Sequence, residues 1–176
     1  MINEVVQLLS KFAVDPANGL NAAVSIIPRA NVDPLLPDYP APPVVPVLDD
    51  VTSPGVAANL DPEKVPCFMM WGDSQVQVEY RGYKTAREVV IAGAFVTAED
   101  ADPIFSERTC GYILRGGVIS FQRFNSQSVS RSFRSLNGVK ILEIKSVVEQ
   151  RVTAAVGRRK MWGFLDIRVI ALEDLT

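Results

Sequence analysis

Met161-Trp162-Gly163-Phe164-Leu165-Asp166-Ile167-Arg168-Val169-Ile170-Ala171-Leu172 is the stretch whose reading decides the fold. Leu165, Ile167, Val169 and Ala171 alternate with Asp166 and Arg168, the period of two that a strand buried on one face requires. Val139 to Val156, just upstream, is also β-prone, and Gly157-Arg158-Arg159-Lys160 reads as the turn between the two. A long terminal hairpin follows from this pair.

Further upstream, Glu99-Asp100-Ala101-Asp102-Pro103 sets acids and a proline where a helix N-terminus favours them. Ile104 to about Phe124 is then a long helix whose inner side is Ile104 or Phe105, Tyr112, Ile113, Val118 or Ile119, Phe121 and Phe124. Gly111, Gly116 and Gly117 each weaken it by about 1 kcal/mol relative to alanine, and mark either close packing against a sheet or a kink. Arg87 to Thr97 carries Val89, Ile91 and Phe95 on one parity and Val90, Ala92, Ala94 and Val96 on the other, so it belongs mid-sheet. Cys67 to Trp71 and Val76 to Tyr80, separated by Gly72-Asp73-Ser74, read as a short hairpin. The Ser- and Arg-rich stretch Asn125 to Asn137 reads as a connecting loop.

At the N-terminus, Ile2, Val5, Val6, Leu9 and Phe12 or Ala13 recur at helical spacing, and Asp15-Pro16 and Asn18-Gly19 end that helix. A short second helix spans Leu20 to Ile27 and stops before Pro28. Between Pro28 and Pro66 stand ten of the twelve prolines, a density that no ordinary helix or central strand survives. Leu35, Leu36, Tyr39, Val44, Val45, Val47 and Leu48 make this stretch too apolar for a solvated linker. It is either an extended arm lying on its own domain or a neighbour, or a long loop packed on its own core. The expectation is one α+β domain over residues 1–176. It has a mixed or antiparallel sheet of about four or five strands, an N-terminal helix, one long packed helix and the 28–66 arm.

The chain has no histidine, which removes the commonest general base and neutral metal ligand. It has no phosphate-cradling glycine motif. Asp49-Asp50 lies in the arm and Glu99-Asp100 at a helix start, where capping accounts for it. No catalytic residue, cofactor or metal is therefore assigned, and the protein is read as a non-enzyme. Cys67 and Cys110 stand in no metal-ligand spacing and are read as buried thiols. Glu4, Gln7 and Lys11 interrupt the apolar N-terminus, so neither a signal peptide nor a membrane span is expected, and the product is read as cytosolic and soluble.

The net charge of −2 hides an asymmetry: residues 1–80 carry three cations against ten acids, and residues 81–176 fifteen against ten. Either an acidic arm lies on a basic face of the same or a neighbouring copy, or both surfaces are merely solvated. Arg123, Arg131, Arg134, Arg158, Arg159 and Lys160 are a candidate basic surface; without interleaved aromatics it suits acidic protein partners better than nucleic acid.

The strand 87–97, the helix 104–124, the connection ending in Asn137-Gly138-Val139-Lys140-Ile141 and the hairpin from Val147 through Gly157 to Val169 together resemble the tail terminator and head–tail connection proteins of tailed bacteriophages. The 28–66 arm departs from their compact pattern. The resemblance implies a virion protein, made in the host cytoplasm, that forms a ring of about six copies at the neck. Such a ring caps the tail tube, docks on head-connector proteins and lets DNA pass through its lumen. On this reading Arg158, Arg159, Lys160, Arg131, Arg134, Leu35, Leu36, Tyr39, Val44 and Val45 form the partner interface. A tail tube or head-completion protein, or a small histidine-free enzyme, are the alternatives.

Overall fold

The computed structural model describes residues 1–49, 62–81, 84–98, 103–152 and 160–174. Among these residues it is an α+β protein, with three α-helices and a curled, mixed sheet of six strands. The helices are α1 (Ile2–Ala13), α2 (Leu20–Ser25) and α3 (Pro103–Arg123). The strands are β1 (Val47–Leu48), β2 (Cys67–Arg81), β3 (Lys84–Ala98), β4 (Ser135–Leu136), β5 (Val139–Val152) and β6 (Lys160–Asp174), in spatial order β1-β2-β3-β6-β5-β4. Four are long, and the two outermost are two residues each, which takes the strand number above the four or five expected. Among the described residues only the β1–β2 pair is parallel.

The terminal hairpin forms as its pattern predicts, with Val139 opposite Glu173 and Val152 opposite Trp162; the turn residues Gly157, Arg158 and Arg159 lie outside the described residues. The central position of β3 also holds, because each of its faces enters a separate cluster. Val89, Ile91 and Phe95 join Phe68, Met70, Leu165, Ile167, Val169 and the helices. Ala94 and Val96 join Cys67, Met69 and Trp71 on the opposite face. One strand thus supplies two cores, which is why both of its parities are apolar.

Two expectations are corrected. Gly72-Asp73-Ser74 is not a hairpin turn: β2 runs straight through it, and the pairing with β3 shifts there from Gly72 opposite Ile91 to Ser74 opposite Val90. Asp73 is the extra residue of a β-bulge, a feature that uses the same residue types as a turn. Glycine is needed because a Cβ at position 72 would strike the Ile2 side chain of α1 as it crosses β2. The second correction falls in 125–137, which is more than a loop. Arg131–Phe133 form a 3₁₀ turn, and Ser135–Leu136 pair with Lys140 and Val139 through the two-residue turn Asn137-Gly138. Both turn residues have positive φ, 49° and 79°, the backbone that an Asn-Gly hairpin supplies most readily.

The helices meet the sheet face at close range. α1 buries Val5, Leu8, Leu9, Phe12 and Ala13, and Phe12 stands edge-on to Phe124 at 5.1 Å and to Phe133 at 5.6 Å between ring centres. In α3 the glycine pair splits its work: Gly117 faces Leu165 of β6, whereas Gly116 faces Val24 of α2. Close packing, one of the two readings of these glycines, is therefore what they serve. The fully buried hydroxyl of Ser120 donates to the Asn18 carbonyl at 2.8 Å, tying α3 to the loop ahead of α2. Cys67 and Cys110 are both buried and are not joined in a disulfide.

On the face away from the helices, Glu88 of β3 accepts from Lys145 at 2.9 Å and lies 3.5 Å from Arg168. The Lys145 hydrogen bond is the main cause that holds the Glu88 carboxyl below its ordinary value of 4.5. A lowered folded value means that this group stabilises the fold above pH 4.5 and that its contribution is lost as pH falls through the folded value. Unfolding by denaturant at pH 7 and at pH 3 should therefore show a smaller acid-induced loss for Glu88→Gln than for the wild type. An equal loss would remove the carboxylate from the pH dependence.

Candidate assembly surfaces

The sheet ends in two long strands whose outer edges are only partly covered among the described residues. On the β2 side, β1 pairs with Phe68 and Met69 alone, and the Phe68 amide donates to the Pro46 carbonyl. The stretch 70–81 of β2 has no strand on its outer side among the described residues. On the β5 side, β4 covers Val139 and Lys140, and the Ile141 amide donates to the Arg134 carbonyl. Asn125 then acts as a one-residue strand: its amide group donates to the Ile144 carbonyl and accepts from the Ile144 amide, both at 2.8 Å. Beyond it, 145–152 has no strand on its outer side among the described residues. Because β2 to β3, β3 to β6 and β6 to β5 are all antiparallel, β2 and β5 run in opposite directions. Unpaired backbone edges of this kind are templates for another strand.

The arm is fastened to its own chain at two points. Asn21 holds Val45 through a pair of backbone hydrogen bonds at 2.9 and 2.8 Å, mirroring what Asn125 does for Ile144. Tyr39 exchanges hydrogen bonds with Arg29, and its ring lies 4.0 Å under the Arg108 guanidinium of α3. Between Arg29 and Tyr39 the apex 30–38 turns on itself, with the Leu35 amide donating to the Asp33 carboxylate at 2.9 Å.

The predicted interface residues consequently separate. Leu35, Leu36 and Val44 project from the arm at 91%, 54% and 80% exposure. Val45 is 1% exposed and packs into the core, so it leaves the interface set. Tyr39 is half-buried against its own α3. Val32, the most exposed large apolar side chain among the described residues at 94%, was absent from the sequence reading, although its place in the same apolar, acidic run was a signal for it.

The cations separate too. Arg134 is engaged in its own chain: its guanidinium donates to the carbonyls of Phe124 and Ser126 at 2.8 and 3.0 Å and lies over the Phe124 ring. This satisfies backbone oxygens at the end of α3. Arg131 is exposed on the 3₁₀ turn, and Lys140, missed from sequence, is exposed at the start of β5. All three cations line one cleft of about 940 Å³ with Asn125, Ile141 and Leu142, and among the described residues no acid lies in its lining. Arg158 and Arg159 lie outside the described residues, and only the backbone of Lys160, the first residue of β6, is described.

No protein-family model matches the chain, and no curated protein matches its sequence. Among the described residues no helix is long and apolar enough to cross a membrane. Among the described residues the geometry supplies a sheet with uncovered stretches on both outer strands, an arm with projecting apolar groups and a cationic cleft.

Proposed function

We propose that this protein is a structural virion component of a tailed phage, a ring-forming neck or tail-terminator protein that joins the tail tube to the head connector. It works by assembly and not by catalysis. One observation carries the reading: among the described residues no strand covers 70–81 of β2 or 145–152 of β5, and the two edges have opposite polarity. Laying β2 of one copy beside β5 of the next makes an antiparallel pair, so the sheet continues from copy to copy. A contact that joins two different surfaces head to tail closes into a ring when its rotation closes, and otherwise winds into a tube. Arg158, Arg159 and Lys160, in the connection between β5 and β6, remain the proposed contact with a neighbouring ring.

Negative-stain imaging of the purified chain tests this directly. Closed rings of uniform diameter are expected. Long tubes would transfer the protein to the tail tube, and a strictly monomeric species at high concentration, with tail tubes present, would overturn the assembly reading. In a separate measurement, Arg158→Glu, Arg159→Glu and Lys160→Glu together should weaken docking to the partner ring and leave the melting temperature unchanged. Unaltered docking would take this tip out of the contact.

A further inference from the structure

We propose that the exposed apex of the arm, residues 32–38, seats in the cationic cleft of a second copy of this chain. The inference rests on the self-association in the reading above and names a contact between copies separate from the pairing of β2 with β5.

The apex and the cleft match in two respects. In charge, the apex brings Asp33 and Asp38, and there is no lysine or arginine from residue 30 to residue 63. The cleft brings Arg131, Arg134 and Lys140, with no acid among the described residues of its lining. In polarity, Val32 and Leu35 stand almost fully in solvent, and Leu36 more than half. The cleft carries Leu142, an apolar side chain 41% exposed on β5; Val129 and Ile141, which also line it, are buried. Side chains this large and this exposed bury apolar area once a surface covers them, and the proline at each end of Pro34-Leu35-Leu36-Pro37 lowers the entropy lost in docking.

The topology makes the occupant a second copy. The arm leads into β1 on the β2 side of the sheet, whereas the cleft opens beside β4 on the β5 side, at the other end of the strand order. In its own chain the apex is fastened near α3 through Tyr39 and Arg108 and stays exposed, so it does not fill that chain's cleft. An apolar apex flanked by carboxylates also suits this lining better than a nucleic acid does, because a polyanion would leave Leu142 uncovered and approach a chain of net charge −2.

Charge exchange in the full chain, followed by sedimentation velocity, tests the contact. Asp33→Lys with Asp38→Lys should weaken self-association about tenfold, and Arg131→Glu with Lys140→Glu should do the same, since each sets like charges together. A chain carrying all four substitutions, and an equimolar mixture of the two double variants, should regain wild-type association. Regain identifies the partners of the charges, which loss alone does not. Unchanged association in either double variant, or loss without regain, overturns the contact and leaves the ring reading standing. Binding of single-stranded or duplex DNA that Arg131→Glu with Lys140→Glu abolishes would assign the cleft to nucleic acid and also overturn it. A monomeric wild type fails at the prior step and sinks the ring reading itself.

Discussion

Phe12→Ala is expected to destabilise the fold by about 3–5 kcal/mol, the range for removing a large aromatic side chain from a packed core. Phe12 is fully buried and is the point at which α1 meets the far end of α3 and the 3₁₀ turn. Its ring contacts Phe121, Phe124 and Phe133 at 6.2, 5.1 and 5.6 Å between centres. Removing it leaves three aromatic rings facing a void, and none of the three belongs to a segment free to collapse into it. Phe124 is gripped by Arg134 and ends α3, and Phe121 is fixed between Phe12 and Phe68. At roughly 2–4 °C per kcal/mol for a chain of this size, the melting temperature should fall by about 6–20 °C. A fall under a degree or two would mean that α1 is peripheral to the core.

Gly116→Ala tests a case in which two effects oppose each other. In an exposed helix interior this change stabilises by about 1 kcal/mol, because alanine is the better helix former. Here the new Cβ would strike Val24 Cγ2, and it would also lie 3.2 Å from both Cα and N of the Val24 backbone. A side-chain tip can rotate away, but two backbone atoms move only if α2 moves. α2 is six residues long and held by buried Leu20, by the Asn21 clamp on Val45 and by Ser120 through Asn18, so its displacement disturbs the arm anchor as well. Overpacking of this kind costs about 1–3 kcal/mol, which outweighs the propensity gain. Gly117→Ala is the comparison: its Cβ would meet Leu165 Cδ1 at 2.5 Å, the mobile end of a side chain, so it should cost less. A higher melting temperature for Gly116→Ala than for wild type would show that α2 yields freely.

Much of the architecture was legible because it is written in periodicity. The alternation at 165–171 specified β6, the double-sided run at 89–96 specified a central β3, and the apolar spacing of Ile2 to Ala13 specified α1. What was not legible is what depends on contacts across the chain. Gly72-Asp73-Ser74 reads as a turn because bulges and turns share residue types, and only the crossing of Ile2 over Gly72 distinguishes them. The two-residue strand β4 carried its own signal in Asn137-Gly138, but a strand this short has no period to detect. Among the candidate interface residues, Leu35 and Val44 project as a docking arm requires, whereas Val45, next in sequence to Val44, is buried by its pairing with Asn21. Neighbours in an extended arm point opposite ways, and composition does not reveal which way. Arg134 shows the same limit, since a guanidinium that caps a helix and one that awaits a partner are the same letter in a sequence.

Asn125 has a consequence for measurement of length. By occupying both backbone groups of Ile144, it is a fixed end-stop on the rail of β5: a strand sliding in from the free end halts short of that residue. In the proposed sheet-to-sheet assembly, strand registry can slip in steps of two without turning a face over, so this asparagine would set where an incoming strand comes to rest. Asn125→Ala would then lengthen the rail, and subunits proposed to stack at one pitch would acquire several.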